Sequence, residues 1–310
     1  MNNILITGAY GFVGTNLSNY LKGNYTLLAL DILKQASDAY VNYYSWNDLD
    51  TLPWDKIDTV IHLAGKAHDT KKQSDAQTYF DINTGLTRKV FDCFLQSKAR
   101  QFIFFSSVKA VTDTVEGDYL TEDTEPKPVG VYGESKMKAE EYIQSKPWNG
   151  KNVYIFRPCM IHGPGNKGNL NLLYRFVNMG IPYPLGAFKN KRSFLNIQNL
   201  SYIVEQFLLQ NIESGIYHLA DDEPVSTNRL IELIAFSKNK KARIWKINRS
   251  FIMLMAKIGT ACKLPFNVDR LQKLTENYVV SNQKLKSAIG IERLPVDIES
   301  GLLFTLKSFN

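Results

Sequence analysis

The first fourteen residues constrain the fold more than any other stretch. Asn3-Ile4-Leu5-Ile6-Thr7 is a short apolar run, and Gly8-Ala9-Tyr10-Gly11-Phe12-Val13-Gly14 follows with three glycines in seven positions. Val13, Leu17 and Leu21 then recur at four-residue spacing, which puts them on one face of a helix. The order is strand, tight turn, helix. Glycine lets the backbone turn sharply and lets a pyrophosphate approach the N–H groups at a helix N-terminus. A second apolar run, Tyr25 to Leu30, ends in Asp31, whose carboxylate suits the hydroxyls of an adenosine ribose. A glycine triplet alone commonly marks only a turn. With this strand and this acid it reads as a dinucleotide-binding turn, with Gly8, Tyr10, Gly11, Phe12, Val13, Gly14 and Asp31 as candidate cofactor contacts.

Apolar runs and helical patterns alternate through the first half. The pattern predicts strands at 3–7, 25–30, 41–45, 59–63, 101–105 and 152–156, and helices at 13–22, 76–97 and 132–145. Such alternation predicts an α/β chain with a Rossmann-type, doubly wound parallel sheet covered on both faces. After Arg157-Pro158 the pattern changes to a loop, Gly163 to Asn169, and a helical run, Leu170 to Asn178. The run Arg192 to Ile197 follows, with Arg192 placed before a predicted strand, and a late strand is predicted from Gly215 to Ala220. We therefore expect a cofactor domain over 1–160 and a smaller C-terminal substrate-binding lobe over 161–310, with segments near 190–220 returning to the main sheet.

Tyr132 and Lys136 stand four residues apart, on one face of the predicted helix. A phenol with an ordinary pKa near ~10 is a poor acid or base at neutral pH, and a nearby ammonium favours its ionised form. Such a tyrosine can exchange a proton with a sugar hydroxyl or carbonyl. Alone the pair is weak evidence, since the same spacing arises on many helices by chance.

Taken together, Thr7-Gly8-x-x-Gly11-Phe12-x-Gly14 and Tyr132-x-x-x-Lys136 resemble the extended short-chain dehydrogenase/reductases. Among these the chain is most similar to nucleotide-sugar epimerases, dehydratases and 4-ketoreductases. His62-Leu63-Ala64-Gly65, Asn83, Phe105-Ser106-Ser107, and Arg157-Pro158 before His162-Gly163-Pro164-Gly165 follow in the order of that family. The resemblance implies that Ser107, Tyr132 and Lys136 are catalytic, with Ser106 competing for the serine role. It implies that Leu63, Ala64, Gly65, Ser106 and Pro158 border the cofactor, with Cys159 beside the nicotinamide. Lys136 would hold the nicotinamide ribose and lower the phenol pKa. Arg192 would bind a diphosphate, with Arg270 as a further phosphate ligand. Asn169 and Lys167 fall in the nucleotide-sugar loop, Lys66 and His68 in a loop open to the sugar. His62 reads as structural. The implied cofactor is NAD rather than NADP, because a 2′-phosphate would meet Asp31. The implied partner is a UDP-linked sugar, and the implied assembly a homodimer.

Two departures limit the reaction. Family members commonly carry Tyr-Gly where this chain has Val111-Thr112, and dehydratases an Asp-Glu pair where Val108-Lys109 follows Ser107. Dehydration is disfavoured, leaving UDP-hexose 4-epimerisation or 4-keto reduction, with hydride transfer at C4 and tyrosine as acid and base. Two other classes stay open: a non-catalytic NAD(P)-sensing protein, and an NAD(P)H reductase of a small non-nucleotide carbonyl compound. The intact Ser-Tyr-Lys set argues against the first, and Arg192 with its neighbouring loop against the second.

Bulk properties exclude other classes. With 44% hydrophobic and 22% charged residues the composition is that of a globular protein. Ile4 to Ile6 is too short for a targeting core, so a cytoplasmic setting is expected. Cys93, Cys159 and Cys262 are scattered without metal-ligand spacing, and no metal is expected. The formal charge of +7 suits anionic ligands, but no nucleic-acid motif accompanies it. Lys238, Lys240, Lys241 and Arg243 read as a solvated loop. Ser250 to Phe266 is mainly apolar yet interrupted by Lys257 and Lys263 and too short to span a membrane. It reads as a buried or partner-facing helix, with surface association with a membrane left open.

Overall fold

A computed structural model describes residues 2–67, 75–166 and 168–309. The apolar runs become strands: β1 (Asn3–Thr7), β2 (Thr26–Leu30), β3 (Asn42–Tyr44), β4 (Thr59–His62), β5 (Gln101–Phe105), β6 (Asn152–Pro158), β7 (Met160–His162), β8 (Phe194–Asn196) and β9 (Gly215–Leu219). Seven of them form one sheet in the order β3-β2-β1-β4-β5-β6-β9. Every pairing in it is parallel. The chain builds outward from β1 on one side, then crosses to β4 on the other. The crevice where strand order reverses lies at the carboxyl ends of β1 and β4, where doubly wound sheets bind ligands.

Both faces of the sheet are covered, which is why its strands are apolar without alternation. In β5, Phe102 and Phe104 join one core with Phe91 and Phe94, while Ile103 and Phe105 join the opposite core with Leu17 and Phe207. Phe207 packs edge-on against Tyr154, Phe156 and Tyr217 at 4.7–5.1 Å between ring centres. It comes from the helix Ile197–Leu209, so a late segment closes the face opposite the helix Thr87–Gln96. A fully buried ring of this kind stabilises by about 1.5–3 kcal/mol.

After β6 the chain leaves the sheet. β7 and β8 pair in parallel, Met160 with Phe194 and His162 with Asn196. A third core gathers the helices Asn169–Asn178, Thr227–Ser237 and Ile298–Lys307, and a fourth joins Tyr183 and Leu185 to Ile252, Ala256 and Leu271. Asp221, just after β9, accepts hydrogen bonds from Asn196 N at 2.9 Å and Asn199 Nδ2 at 2.7 Å, tying β8 to the main sheet.

The strand anticipated after Arg192 starts at Phe194; Arg192 itself makes isolated bridges to Val225 and Tyr278, because two different segments flank it. The return to the main core includes Leu285, Ile289 and Leu294 as well as the residues near 190–220. The helix Arg249–Ala261 buries only Ile252, Ala256 and Gly259. Phe251, Leu254, Met255 and Ile258 stay exposed, since the helix is apolar around most of its circumference and the lobe covers one side.

Candidate active site

The glycine turn follows β1, and its three glycines answer to three separate constraints. Gly8 has a φ of +66° and donates its N–H to Leu30 O; a Cβ there would lie 2.8 Å from Ala64 N. A Cβ on Gly14 would lie 2.5 Å from the carbonyl oxygens of both Gly8 and Ala9, so the helix sits directly on the turn. Gly11 is the N-cap residue of Phe12–Leu21 and supplies no capping side chain, which leaves the first N–H groups of that helix open to an anion. Asp31, at the end of β2, accepts from Tyr10 N at 2.8 Å and Ile32 N at 2.7 Å. Both oxygens are thus fixed beside the turn. Tyr40, which the sequence reading missed, donates to Ala9 O at 2.9 Å and braces the turn from behind; its edge meets the Tyr10 ring at 5.6 Å.

Behind this turn, Thr7 Oγ1 holds Ala64 N at 3.1 Å and His62 Nδ1 at 2.7 Å. His62 Nε2 meets Thr87 Oγ1 at 3.0 Å. Burial first, then the Lys136 charge, holds the imidazole down to about 3, so His62 is neutral and structural, matching its reading from sequence. Gly65 continues the loop. A Cβ there would be 3.0 Å from both Asn83 Oδ1 and Lys136 Nζ, so the backbone of Gly65 lies directly over the lysine. Asn83 binds Lys66 N and O at 2.7 and 3.1 Å and Ser135 Oγ at 2.9 Å. It sits in a π-helical stretch, Phe80–Leu86, a local widening often found at functional sites. The Lys66 ammonium lies 5.7 Å from the Tyr79 ring centre.

Tyr132, Ser135, Lys136 and Glu140 come from one helix, Gly130–Gln144. Ser107, at the end of β5, stands beside the Tyr132 phenol and favours its ionised form. Ser106 is turned the other way: its hydroxyl donates to Glu140, whose carboxylate also holds Arg157 Nε at 3.1 Å. Of the two serines, Ser107 therefore stands beside the phenol. The Ser106 hydroxyl belongs to the buried support, so any contact of Ser106 with the cofactor would be through its backbone.

The expected effect of Lys136 on the phenol also differs. Its ammonium reaches back to Phe105 O at 2.8 Å and lies over the Phe104 ring at 5.0 Å. Burial pushes the Tyr132 phenol above its ordinary value, opposed by Ser107 beside it. Burial in turn lowers the Lys136 ammonium to about 8, with Glu140 acting against that shift. Proximity along a helix face does not fix where a lysine tip goes; here a carbonyl at the strand end captures it.

Pro158 closes β6 in the buried layer, and the Cys159 thiol beside it is pushed well above its usual range by burial, so it is no nucleophile. Arg192 lies at the entrance to the later half. Its Nη2 donates to Lys273 O, and its Nε is buried without a hydrogen-bond partner. Burial lowers the guanidinium from its ordinary value, opposed by Glu276 and Tyr183. An unpartnered N–H on a desolvated guanidinium is a group arranged for an anion. The adjoining residues tie Arg192 to the catalytic end: Tyr278 N donates to Lys191 O, and Tyr278 OH donates to Thr112 O at 2.9 Å, just past the turn that follows Ser107. Arg270 is exposed on the helix Val268–Thr275, which also carries Lys273. Asn169 begins the helix Asn169–Asn178, and its side chain, with Lys167 and His68, lies outside the described residues.

The glycine turn, the open helix end, the fixed Asp31 and the lysine beneath Gly65 fit a dinucleotide with its pyrophosphate at the turn and its second ribose near Lys136. Comparison with known proteins agrees. The model of the NAD dependent epimerase/dehydratase family matches residues 4–219. The UDP-glucose 4-epimerase of Vibrio cholerae is 33% identical over 77% of this chain and 76% of its own length. The N-acetyl-alpha-D-glucosaminyl-diphospho-ditrans,octacis-undecaprenol 4-epimerase of Escherichia coli O157:H7 is 29% identical over 92% and 85%. Among solved structures, the UDP-glucuronic acid 4-epimerase of Bacillus cereus in complex with NAD superposes with a TM-score of 0.74 at 18% identity, covering 99% of this chain and 98% of that one, a likeness of fold. The chain belongs to the NAD-dependent epimerase/dehydratase family and is an NAD-dependent enzyme of that family.

Proposed function

We propose that this chain is a UDP-sugar 4-epimerase that works with a retained NAD, and that Tyr132 moves the proton on the sugar's C4 oxygen. The observation that carries this reading is the placement of Ser107 beside the Tyr132 phenol at the carboxyl end of β5, with Lys136 held under Gly65 beside them. Bound NAD supplies a hydride acceptor and donor. Ser107 and Tyr132 offer two hydroxyls to a single oxygen, which orients a C4 hydroxyl or ketone for proton transfer. Tyr132 takes the proton as the carbon is oxidised and returns it as the carbon is reduced on its other face. Lys136 would hold ribose hydroxyls, and Asp31 those of the adenosine, where its charge opposes a 2′-phosphate. Arg192 would pair with the diphosphate of the substrate.

Val108 and Lys109 fill the positions after Ser107, and Lys109 is paired with Asp113 at 3.0 Å, so no carboxylate from those positions serves dehydration. Incubation of the purified chain with UDP-hexoses and their N-acetyl forms, without added cofactor, tests the proposal. A C4 epimer formed under those conditions supports it. Reduction of a UDP-4-keto-hexose by added NADH or NADPH, with no epimer formed from the UDP-hexoses, would make the chain a 4-ketoreductase instead.

A second reading keeps the chemistry and changes the carrier from uridine to a lipid, as in the name of the Escherichia coli relative. It draws on one observation. Arg192 rests on the helix Val268–Thr275, whose Leu271 shares a core with the apolar helix Arg249–Ala261. Conversion of a polyprenyl-diphosphate sugar, with every UDP-sugar left untouched, would decide for it.

A further inference from the structure

Residues 238–275 hold ten basic side chains and one acidic one, whereas the other 272 residues hold twenty-seven basic and twenty-nine acidic. The whole positive excess of the chain thus sits in one stretch. Lys246, Lys257, Lys263, Arg270 and Lys273 are exposed there, and none of the five is in an ion pair among the described residues. The same stretch carries nine of the twenty-one exposed large apolar side chains among the described residues. Phe251, Leu254, Met255 and Ile258 recur at helical spacing on one face of Arg249–Ala261 and are 45–54% exposed. Leu264 and Phe266 continue the apolar surface into the next loop.

A single exposed leucine needs no explanation, but a contiguous ridge does. The ridge is firmly mounted: Ile252, Ala256 and Gly259 bury the opposite side of the helix, and Leu264 N donates to Gly259 O at 2.8 Å. Thirteen residues do not cross a bilayer, and no helix among the described residues is long and apolar enough to do so. A second copy of the chain would bring this positive field against itself. A folded partner would have to match scattered lysines one by one. A layer of anionic headgroups meets them without register, while the ridge enters the acyl boundary.

We propose that the helix Arg249–Ala261 and the loop that follows it form a docking surface for an anionic phospholipid bilayer. The surface acts whichever carrier the sugar has, so the proposal does not rest on the reading of the substrate. It places the lobe that holds Arg192 at the headgroup layer, with the NAD-binding sheet above it.

Co-sedimentation of the full chain with extruded vesicles tests this. Binding to phosphatidylcholine mixed with phosphatidylglycerol should exceed binding to phosphatidylcholine alone by about tenfold or more, and should weaken as salt rises. Leu254→Ser/Ile258→Ser and Lys257→Glu/Lys263→Glu should each lower vesicle binding by roughly tenfold. Both should keep the native circular dichroism and NAD affinity, since all four side chains are exposed. Three results would overturn the proposal: no preference for anionic vesicles, undiminished binding by both variants, or a dimer that Leu254→Ser/Ile258→Ser dissolves while no vesicles are bound.

Discussion

Replacing Glu140 by Gln takes one negative charge out of the support behind the site without opening a cavity. The Glu140 and Arg157 side chains are 2% and 3% exposed, and Arg157 Nη1 already has no hydrogen-bond partner. The guanidinium cannot shed its charge, so in Glu140→Gln it stays buried without a counter-ion. Breaking one side of such a pair costs about 3–5 kcal/mol. A chain of 310 residues has an unfolding entropy of about 0.65 kcal/mol per kelvin, so the melting point should fall by roughly 5–8 °C. A second effect falls on Lys136, whose ammonium burial lowers to about 8 and Glu140 holds up. Without Glu140 that pKa falls further, and the ammonium is lost at lower pH. An alkaline limb of kcat/KM set by Lys136, expected near pH 8 in the native chain, should move toward neutrality.

The sign for stability differs from the usual paired lysine. The folded pKa lies below the unfolded one, so burying Lys136 is a cost present in full below about 8 and relieved as pH rises toward the unfolded value. In Glu140→Gln that relief should begin at lower pH. Thermal melts and pH–rate profiles of Glu140→Gln and of Glu140→Leu/Arg157→Met separate the two effects. The double variant should regain most of the melting point, having no unpaired charge, yet keep the shifted limb. An unchanged melting point in Glu140→Gln, or an unmoved limb in both variants, would refute the reasoning.

Three further outcomes are expected. NAD should bind about tenfold or more tightly than NADP, and Asp31→Asn should shrink that ratio, because the fixed carboxylate repels a 2′-phosphate; calorimetry with both cofactors reads it. Arg192→Ala should weaken UDP binding by ~1.5–3 kcal/mol, about one to two powers of ten, with NAD affinity unchanged; equal UDP affinity in the variant would remove Arg192 from the diphosphate site. Gly14→Ala should abolish NAD binding or folding, since its Cβ would press on two backbone oxygens at 2.5 Å, and a normal melt with normal NAD affinity would contradict the close approach.

The parts of the fold that were legible in the sequence are those set by local chemistry. The glycine turn and Asp31 are specified by steric need and charge within about thirty residues, and β1, β4 and β5 begin and end within a residue of their predicted bounds. What was not legible depends on contacts distant in sequence. Arg157 could be read only as part of a short motif; its partner Glu140 sits on another element, and burial of both makes the pair matter. Ser106 and Ser107 are indistinguishable by type, and the turn Val108–Ala110 after β5 decides which one faces Tyr132. The π-helical stretch that positions Asn83 leaves no sequence signal that we recognise. Apolar spacing over Arg249–Ala261 was visible, but spacing does not tell which of two apolar faces the lobe will cover.

The central claim is that hydrogen leaves and returns at the sugar C4 while Tyr132 handles the proton on its oxygen. Turnover of a UDP-sugar deuterated at C4, in ordinary water and without added cofactor, tests it most directly when run with the native chain and Tyr132→Phe. The account predicts an epimer that keeps its deuterium at C4. It also predicts that Tyr132→Phe is slower by about 10²-fold or more, with NAD still bound. Deuterium lost to solvent, or near-native turnover by Tyr132→Phe, would contradict it.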